Sequence, residues 1–200
     1  RQTILDNATC EYAVMCDDDH SMKPDCIEEL YNTAITTNAA VVSAIWPSPV
    51  AEVIDYNSVK HLEEYRLDLD NISEGTHFWW KNGWKTFCVF HKSPQLIESQ
   101  FAGGGCVLYK KEAVKKVGGF PDYYSPVSFR EDTDISYRVF LAGFKVIVNP
   151  KAIAYHFPEQ SGGCRDTKDV DLLRENDGNL FIQKILQWRK DAKNLNTIKV

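Results

Sequence analysis

Glu11-Tyr12-Ala13-Val14-Met15-Cys16-Asp17-Asp18-Asp19-His20-Ser21-Met22-Lys23-Pro24 is the stretch that decides how this chain folds. Its first six residues predict a short buried strand, and His20 to Pro24 predict a turn. Between them stand three adjacent carboxylates. Such charges repel one another and are tolerated when solvated or when they share a cation. Strand side chains alternate faces, so Asp17 and Asp19 are expected on one side and Asp18 on the other. An all-oxygen site of that kind suits a hard divalent ion such as Mg²⁺ or Mn²⁺. A solvated acidic turn fits the same residues.

Working outward, Arg1 to Ala8 predict a helix leading into that strand. Pro24 suits a helix's first turn. Ile27, Leu30, Tyr31, Ala34 and Ile35 recur at helical spacing and predict one face packed on a sheet. Ala39 to Ile45 is a continuous apolar run, as in a parallel strand buried on both faces. Strand, helix and strand in this order predict a right-handed crossover in an α/β fold. From Trp46 to Gln100 the rhythm changes, and residues 46–100 read as an aromatic-rich insertion over the active site. Within it Val59 to Leu69 are weakly helical. Asn82-Gly83, flanked by Trp79, Trp80 and Trp84, is a hairpin signal. Those aromatics suit cross-strand packing or a platform for a sugar's apolar face.

Gly103, Gly104 and Gly105 then precede an apolar strand, Cys106 to Tyr109. Three glycines allow a close backbone approach to a ligand or a sharp turn, without the lysine and spacing of a P-loop. Lys111 to Val117 predict a helix that Gly118 ends. Glu131, Asp132 and Asp134 open another helix, with Ile135, Val139 and Phe140 buried and Gly143 as its stop. Acids there also suit the helix macrodipole. Lys145 to Val148 and Ala152 to Tyr155 predict two strands separated by an Asn149-Pro150 turn, the second ending on His156. A polar loop, Phe157 to Lys168, leads to a long helix, Val170 to Lys190, apolar at Leu172, Leu173, Leu180, Ile182, Ile185 and Leu186.

The 200 residues suffice for one compact domain. A composition 44% hydrophobic and 26% charged is that of a soluble globular protein. A net charge of -5 without a basic run argues against nucleic acid as a partner. No stretch reads as a transmembrane helix or a signal peptide. The six cysteines form no Cys-x-x-Cys pair, and most sit in apolar runs. They point to a reducing, cytoplasmic compartment, although their even number also permits disulfides. Peripheral attachment at the inner face of the membrane is compatible with this.

Taken together, "CDDDHSMKPD", "FAGGGCVLYKKEAVKKVGGFPD" and "FREDTDISYRVFLAGFKVIVNPKAIAYH" resemble a family 2 glycosyltransferase of the GT-A fold. The likeness runs from Tyr12 to His156, apart from the insertion. It implies a three-layer α/β/α sandwich on a mixed, mainly parallel sheet. It also implies an inverting transfer of a sugar from a nucleotide-sugar donor to a hydroxyl on a glycan, lipid or small molecule, with Mn²⁺ or Mg²⁺ as cofactor. Asp19 matches the metal ligand, and His156 a strand-end position that is a further ligand in some relatives. Asp132 matches the catalytic base. Asp17 and Asp18 match positions near the ribose and the metal's surroundings. Gly103, Gly104 and Gly105 match the lining of the donor-sugar and acceptor cleft. Glu131 would orient the acceptor or hold the helix start. Arg165 or Lys168 could bring positive charge to the diphosphate.

Relatives carry about two βα units before the acidic triplet. Arg1, matching a basic position near the nucleotide, would be their remnant. The expectation is an N-terminally truncated single domain over residues 1–200, part of a longer protein, with an open sheet edge. Gln187-Trp188-Arg189 has the wrong order for the signature of processive members, which predicts a non-processive enzyme. A non-catalytic carbohydrate-binding or scaffold domain is the main alternative. A nucleotidyltransferase also uses carboxylate-held Mg²⁺, but the Glu131-Asp132 helix start favours a base that activates a hydroxyl.

Overall fold

The computed structural model describes residues 1–46, 95–157 and 163–197, with side chains to residue 191. The predicted helix at 59–69 and the aromatic hairpin lie outside the described residues. The chain begins with α1 (Gln2–Asn7), β1 (Tyr12–Cys16), β2 (His20–Met22), α2 (Cys26–Thr37) and β3 (Ala39–Ile45). It continues with β4 (Ile97–Ser99), β5 (Cys106–Lys110), α3 (Lys111–Lys116), α4 (Glu131–Leu141) and β6 (Lys145–His156). A 3₁₀ turn (Gly163–Asp166) and α5 (Val170–Thr197) complete it.

The strands form one sheet in the order β1-β5-β3-β6-β2, with β4 also paired to β6. All of β3 is buried, as its apolar run predicts. Its residues contribute to cores on both faces. Val41 joins Val107, Tyr109 and Val146 against α3 and α4. Val42 joins Leu108 and Ile147 against α2. Helices therefore cover both faces of the sheet, which is the expected three-layer α/β/α arrangement. Burying residues of this size stabilises by about 1.5–3 kcal/mol per side chain relative to exposure. A third cluster joins Ile45, Phe101, Tyr137 and Val148 to Phe181, Ile182 and Ile185 of α5. Among the described residues no helix is long and apolar enough to cross a membrane.

Four expectations are corrected. The sheet is mixed, but among the described residues only the β3–β6 ladder is parallel. The reason is that β5 starts beside the carboxyl end of β1, Cys106 opposite Cys16, and so runs back along both β1 and β3. His20 to Met22 are a strand rather than a turn, because the far half of β6 supplies a partner for them. Asn149-Pro150 does not end β6. It forms an irregularity, with Ala44 opposite Asn149 and Ile45 opposite Ile153. The buried Asn149 amide donates to Thr33 Oγ1 at 2.8 Å, which ties the irregularity to α2. Lastly, the apolar face of α2 is narrower than its spacing predicts. Leu30 and Ala34 are fully buried, whereas Ile27, Tyr31 and Ile35 are about half exposed. On α5, Leu172 is likewise exposed.

Caps fall where backbone sterics place them. Asn38 ends α2 in the left-handed region at φ 55°. Gly118 and Gly143 follow α3 and α4 at φ 87° and 86°.

Candidate active site

The carboxyl end of β1, the start of β5, the start of α4 and the end of β6 converge on one cleft of about 450 Å³. Asp17, Asp18 and Asp19 all line it. The expected alternation of faces fails because β1 ends at Cys16 and the triplet enters a turn, closed by the His20 N–H donating to the Asp17 carbonyl at 3.3 Å. Gly103, Gly104, Gly105, Glu131, Asp132, His156 and Arg1 line the same cleft, so every site residue expected from the sequence meets there. Of the two loop cations, Arg165 lines it and Lys168 does not.

One wall is a histidine pair on a carboxylate. The antiparallel β2–β6 ladder puts His20 directly opposite His156. Their rings stack at 4.6 Å, and Trp46 meets both edge-on. His20 Nδ1 lies 2.9 Å from Asp19 Oδ1, and His156 Nε2 lies 3.2 Å from Asp19 Oδ2. Arg165 from the 3₁₀ turn donates to the same Oδ2 at 3.1 Å. Burial alone would raise the Asp19 pKa. The Arg165 hydrogen bond and the two histidines outweigh it and hold the carboxyl below its ordinary value. Burial and the neighbouring His156 push His20 down, toward neutral imidazole. One ligand atom from each of Asp19, His20 and His156 lies within 4.8 Å of the others. A carboxylate and two imidazoles are a donor set that a divalent transition metal accepts. Sequence reasoning missed His20 because nothing local marks a three-residue strand; its only signal is adjacency to Asp19.

The opposite wall is the first turn of α4. Asp132 Oδ1 accepts the Thr133 N–H at 2.7 Å, which fixes the carboxylate. Its Oδ2 faces Gly104, where an added Cβ would sit 2.3 Å away. Ser136 ties the two elements, accepting the Ala102 N–H at 2.9 Å and donating to the Asp132 carbonyl at 2.7 Å. Arg1 bridges the walls. It pairs with Asp17 at 2.7 Å and with Glu131 at 3.1 Å. Burial opposes the Arg1 charge, but Asp132, Glu131 and Asp17 outweigh it and raise the pKa. Burial lifts the Asp17 carboxyl to about 6 despite Arg1, with Asp132, Asp19 and Glu131 adding repulsion. Burial also raises Glu131. Arg130, buried beside Asp132, is lowered to about 10 by desolvation and stays charged at neutral pH.

The glycine run is thus a response to protein side chains. Gly104 makes room for Asp132, and Gly105 for His20, whose Nε2 an added Cβ would meet at 2.3 Å. Gly104→Ala is expected to displace Asp132 and lower turnover, with cation affinity near wild type. Gly105→Ala is expected to displace His20 instead, and with it any cation that Asp19, His20 and His156 would hold. Steady-state kinetics and Mn²⁺ titration of both variants separate the two effects.

The sequence model described as Glycosyl transferase family 2 matches residues 1–118. The chain belongs to that family. The matched part of this family 2 chain holds the acidic triplet and the glycine run. Asp132 and His156 lie beyond it and enter through the geometry above. Among solved structures, a mannosyltransferase from Pyrobaculum calidifontis in complex with GDP-mannose and Mn²⁺ aligns at 14% identity and a TM-score of 0.49. The alignment covers 98% of this chain and 56% of that one, so the chain spans little more than half of that structure's length. No curated protein sequence matches the chain.

Proposed function

We propose that this chain carries the donor cleft and the acceptor base of a metal-dependent, inverting glycosyltransferase, using a nucleotide-sugar and a hydroxyl on a glycan, lipid or small molecule. The observation that carries this reading is that Asp19, with its two histidines, and Asp132 line one cleft. Asp19, His20 and His156 would hold the cation, and two imidazoles favour Mn²⁺ over Mg²⁺. Bound there, it would offset charge gathering on the leaving diphosphate, a Lewis-acid effect worth roughly several kcal/mol.

The remaining chemistry falls to the chain's own residues. Asp132 Oδ2 would accept the acceptor proton as the acceptor oxygen attacks the anomeric carbon. Attack from the side opposite the leaving diphosphate inverts the configuration. Arg1 and Glu131 hold the two walls in register, and Arg174 adds positive charge to the cleft lining. Trp46 offers an aromatic edge beside the histidines. Trp188 packs with Tyr137 and Phe181. Cys10, Cys16, Cys26, Cys106 and Cys164 are free thiols, which supports a reducing compartment.

The test is transfer by the full-length protein from UDP-, GDP- and dTDP-sugars with and without Mn²⁺. Carbohydrate binding without any cation-dependent nucleotide binding would instead establish the scaffold alternative.

Arg165 sharpens the test. Its guanidinium hydrogen-bonds the carboxylate that would hold a cation, so protein charge and metal would compete for Asp19. Arg165→Met is expected to tighten Mn²⁺ binding several-fold in the absence of nucleotide, as calorimetry would read. Unchanged affinity would exclude competition.

A further inference from the structure

The segment that delivers Asp132 to the cleft is not held by its own sequence neighbours alone. We propose that Asp177, on α5, is a positioning residue for the candidate base; this rests on the reading of Asp132 given above. Residues Val127 to Thr133 form one wall of the cleft. Within that wall Ser128 and Arg130 have φ of 48° and 82°, left-handed conformations that residues other than glycine rarely adopt. Arg130 is the residue before α4, and its side chain gives the helix no cap. A turn of this shape needs an outside restraint to persist.

Asp177 supplies it. The residue is 3% exposed, and both of its oxygens are used on this turn. Oδ1 accepts the Ser125 N–H at 2.8 Å. Oδ2 accepts the Ser125 hydroxyl at 2.8 Å and the Phe129 N–H at 3.0 Å. Hydrogen bonds to an ionised acceptor are stronger than neutral ones. The two anchored residues bracket the left-handed Ser128, and Phe129 stacks under the Arg130 guanidinium at 4.4 Å. Just upstream, the buried Asp134 accepts the hydroxyls of Tyr123 and Tyr124, so the approach to the turn is fixed from α4 itself. Arg174, three positions before Asp177 on α5, lines the cleft. The same helix therefore contributes to the site and clamps the loop that completes it.

Asp177→Asn keeps the shape but places an NH₂ against at least one backbone N–H. Ser125→Ala keeps the carboxylate and both backbone N–H bonds to it, and removes the hydroxyl's bond to Asp177 together with the longer one it accepts from the Val127 N–H at 3.3 Å. In the full-length protein, Asp177→Asn is expected to lower kcat about 10- to 100-fold, the range for a misplacement near 1 Å. Ser125→Ala should lose less. Mn²⁺ affinity should stay within about twofold, because Asp177's hydrogen bonds go to Ser125 and Phe129 and to none of Asp19, His20 and His156. Amide hydrogen exchange at Ser125 and Phe129 should accelerate in Asp177→Asn. An unchanged kcat, or a fall in kcat matched by an equal fall in Mn²⁺ affinity, overturns the proposal. Unaltered exchange at the two amides overturns it whatever the activity. If the wild-type protein transfers no sugar from any donor, the reading of Asp132 fails instead, and the exchange data still decide whether Asp177 holds the turn. Should Asp177→Asn not fold, Ser125→Ala carries the comparison, and wild-type kcat in that variant overturns the proposal.

Discussion

Asp132→Asn is expected to lower sugar transfer roughly 10²- to 10⁴-fold, the contribution of a positioned general base. The substitution is nearly isosteric. An Asn carbonyl can still accept the Thr133 N–H that Asp132 Oδ1 accepts at 2.7 Å. The other end then presents an amide NH₂ toward Gly104 and the cleft, and an NH₂ cannot take a proton from an incoming hydroxyl. The walls should not move, since Arg1 still pairs with Asp17 and Glu131. Donor and Mn²⁺ affinities by calorimetry should therefore match wild type while turnover falls. Normal turnover in this variant would remove Asp132 from the mechanism.

Asp19→Asn should have its large effect on the cation. The two Asp19 oxygens are held by His20, His156 and Arg165, so cation binding would exchange these contacts for ones to the metal. Outer partners of a metal ligand are commonly worth about 10- to 100-fold in affinity, and loss of the charged ligand itself should cost at least about 100-fold. Mn²⁺ binding followed by electron paramagnetic resonance reads this without any turnover. The variant also removes the Asp19 charge that pairs with Arg165, which adds repulsion to the loss of a ligand. Mn²⁺ affinity equal to wild type would place the cation elsewhere, and the metal-dependent reading would go with it.

These two variants test different walls, and the walls were unequally legible. Asp19 and Asp132 are marked by the family 2 resemblance, which rests on an acidic triplet after an apolar strand and an acidic helix start; those local signals alone also fit a solvated turn and a helix macrodipole. The α/β character followed from the same periodicities, as did the buried β3 and the glycine stops after α3 and α4. The glycine run could be marked as a close approach, but its occupants could not be named. They are Asp132 and His20, which come from opposite directions along the chain.

What sequence alone determined is the set of local preferences: where the chain is apolar on both faces, where carboxylates cluster, and where a backbone must turn left-handed. Tertiary structure decided the partners. His20 became part of the candidate metal site only because β6 continues past Asn149 and pairs with β2. Asp177 became an anchor only because α5 packs beside the turn that precedes α4. Asp18 joined its neighbours in the cleft because the strand stops one residue before the triplet. Hydrogen bonds and ion pairs between residues far apart in sequence leave no periodicity behind, since each needs only one donor and one acceptor at contact distance. Arg1 with Asp17 and Glu131, and His156 and Arg165 with Asp19, are such pairs in the cleft.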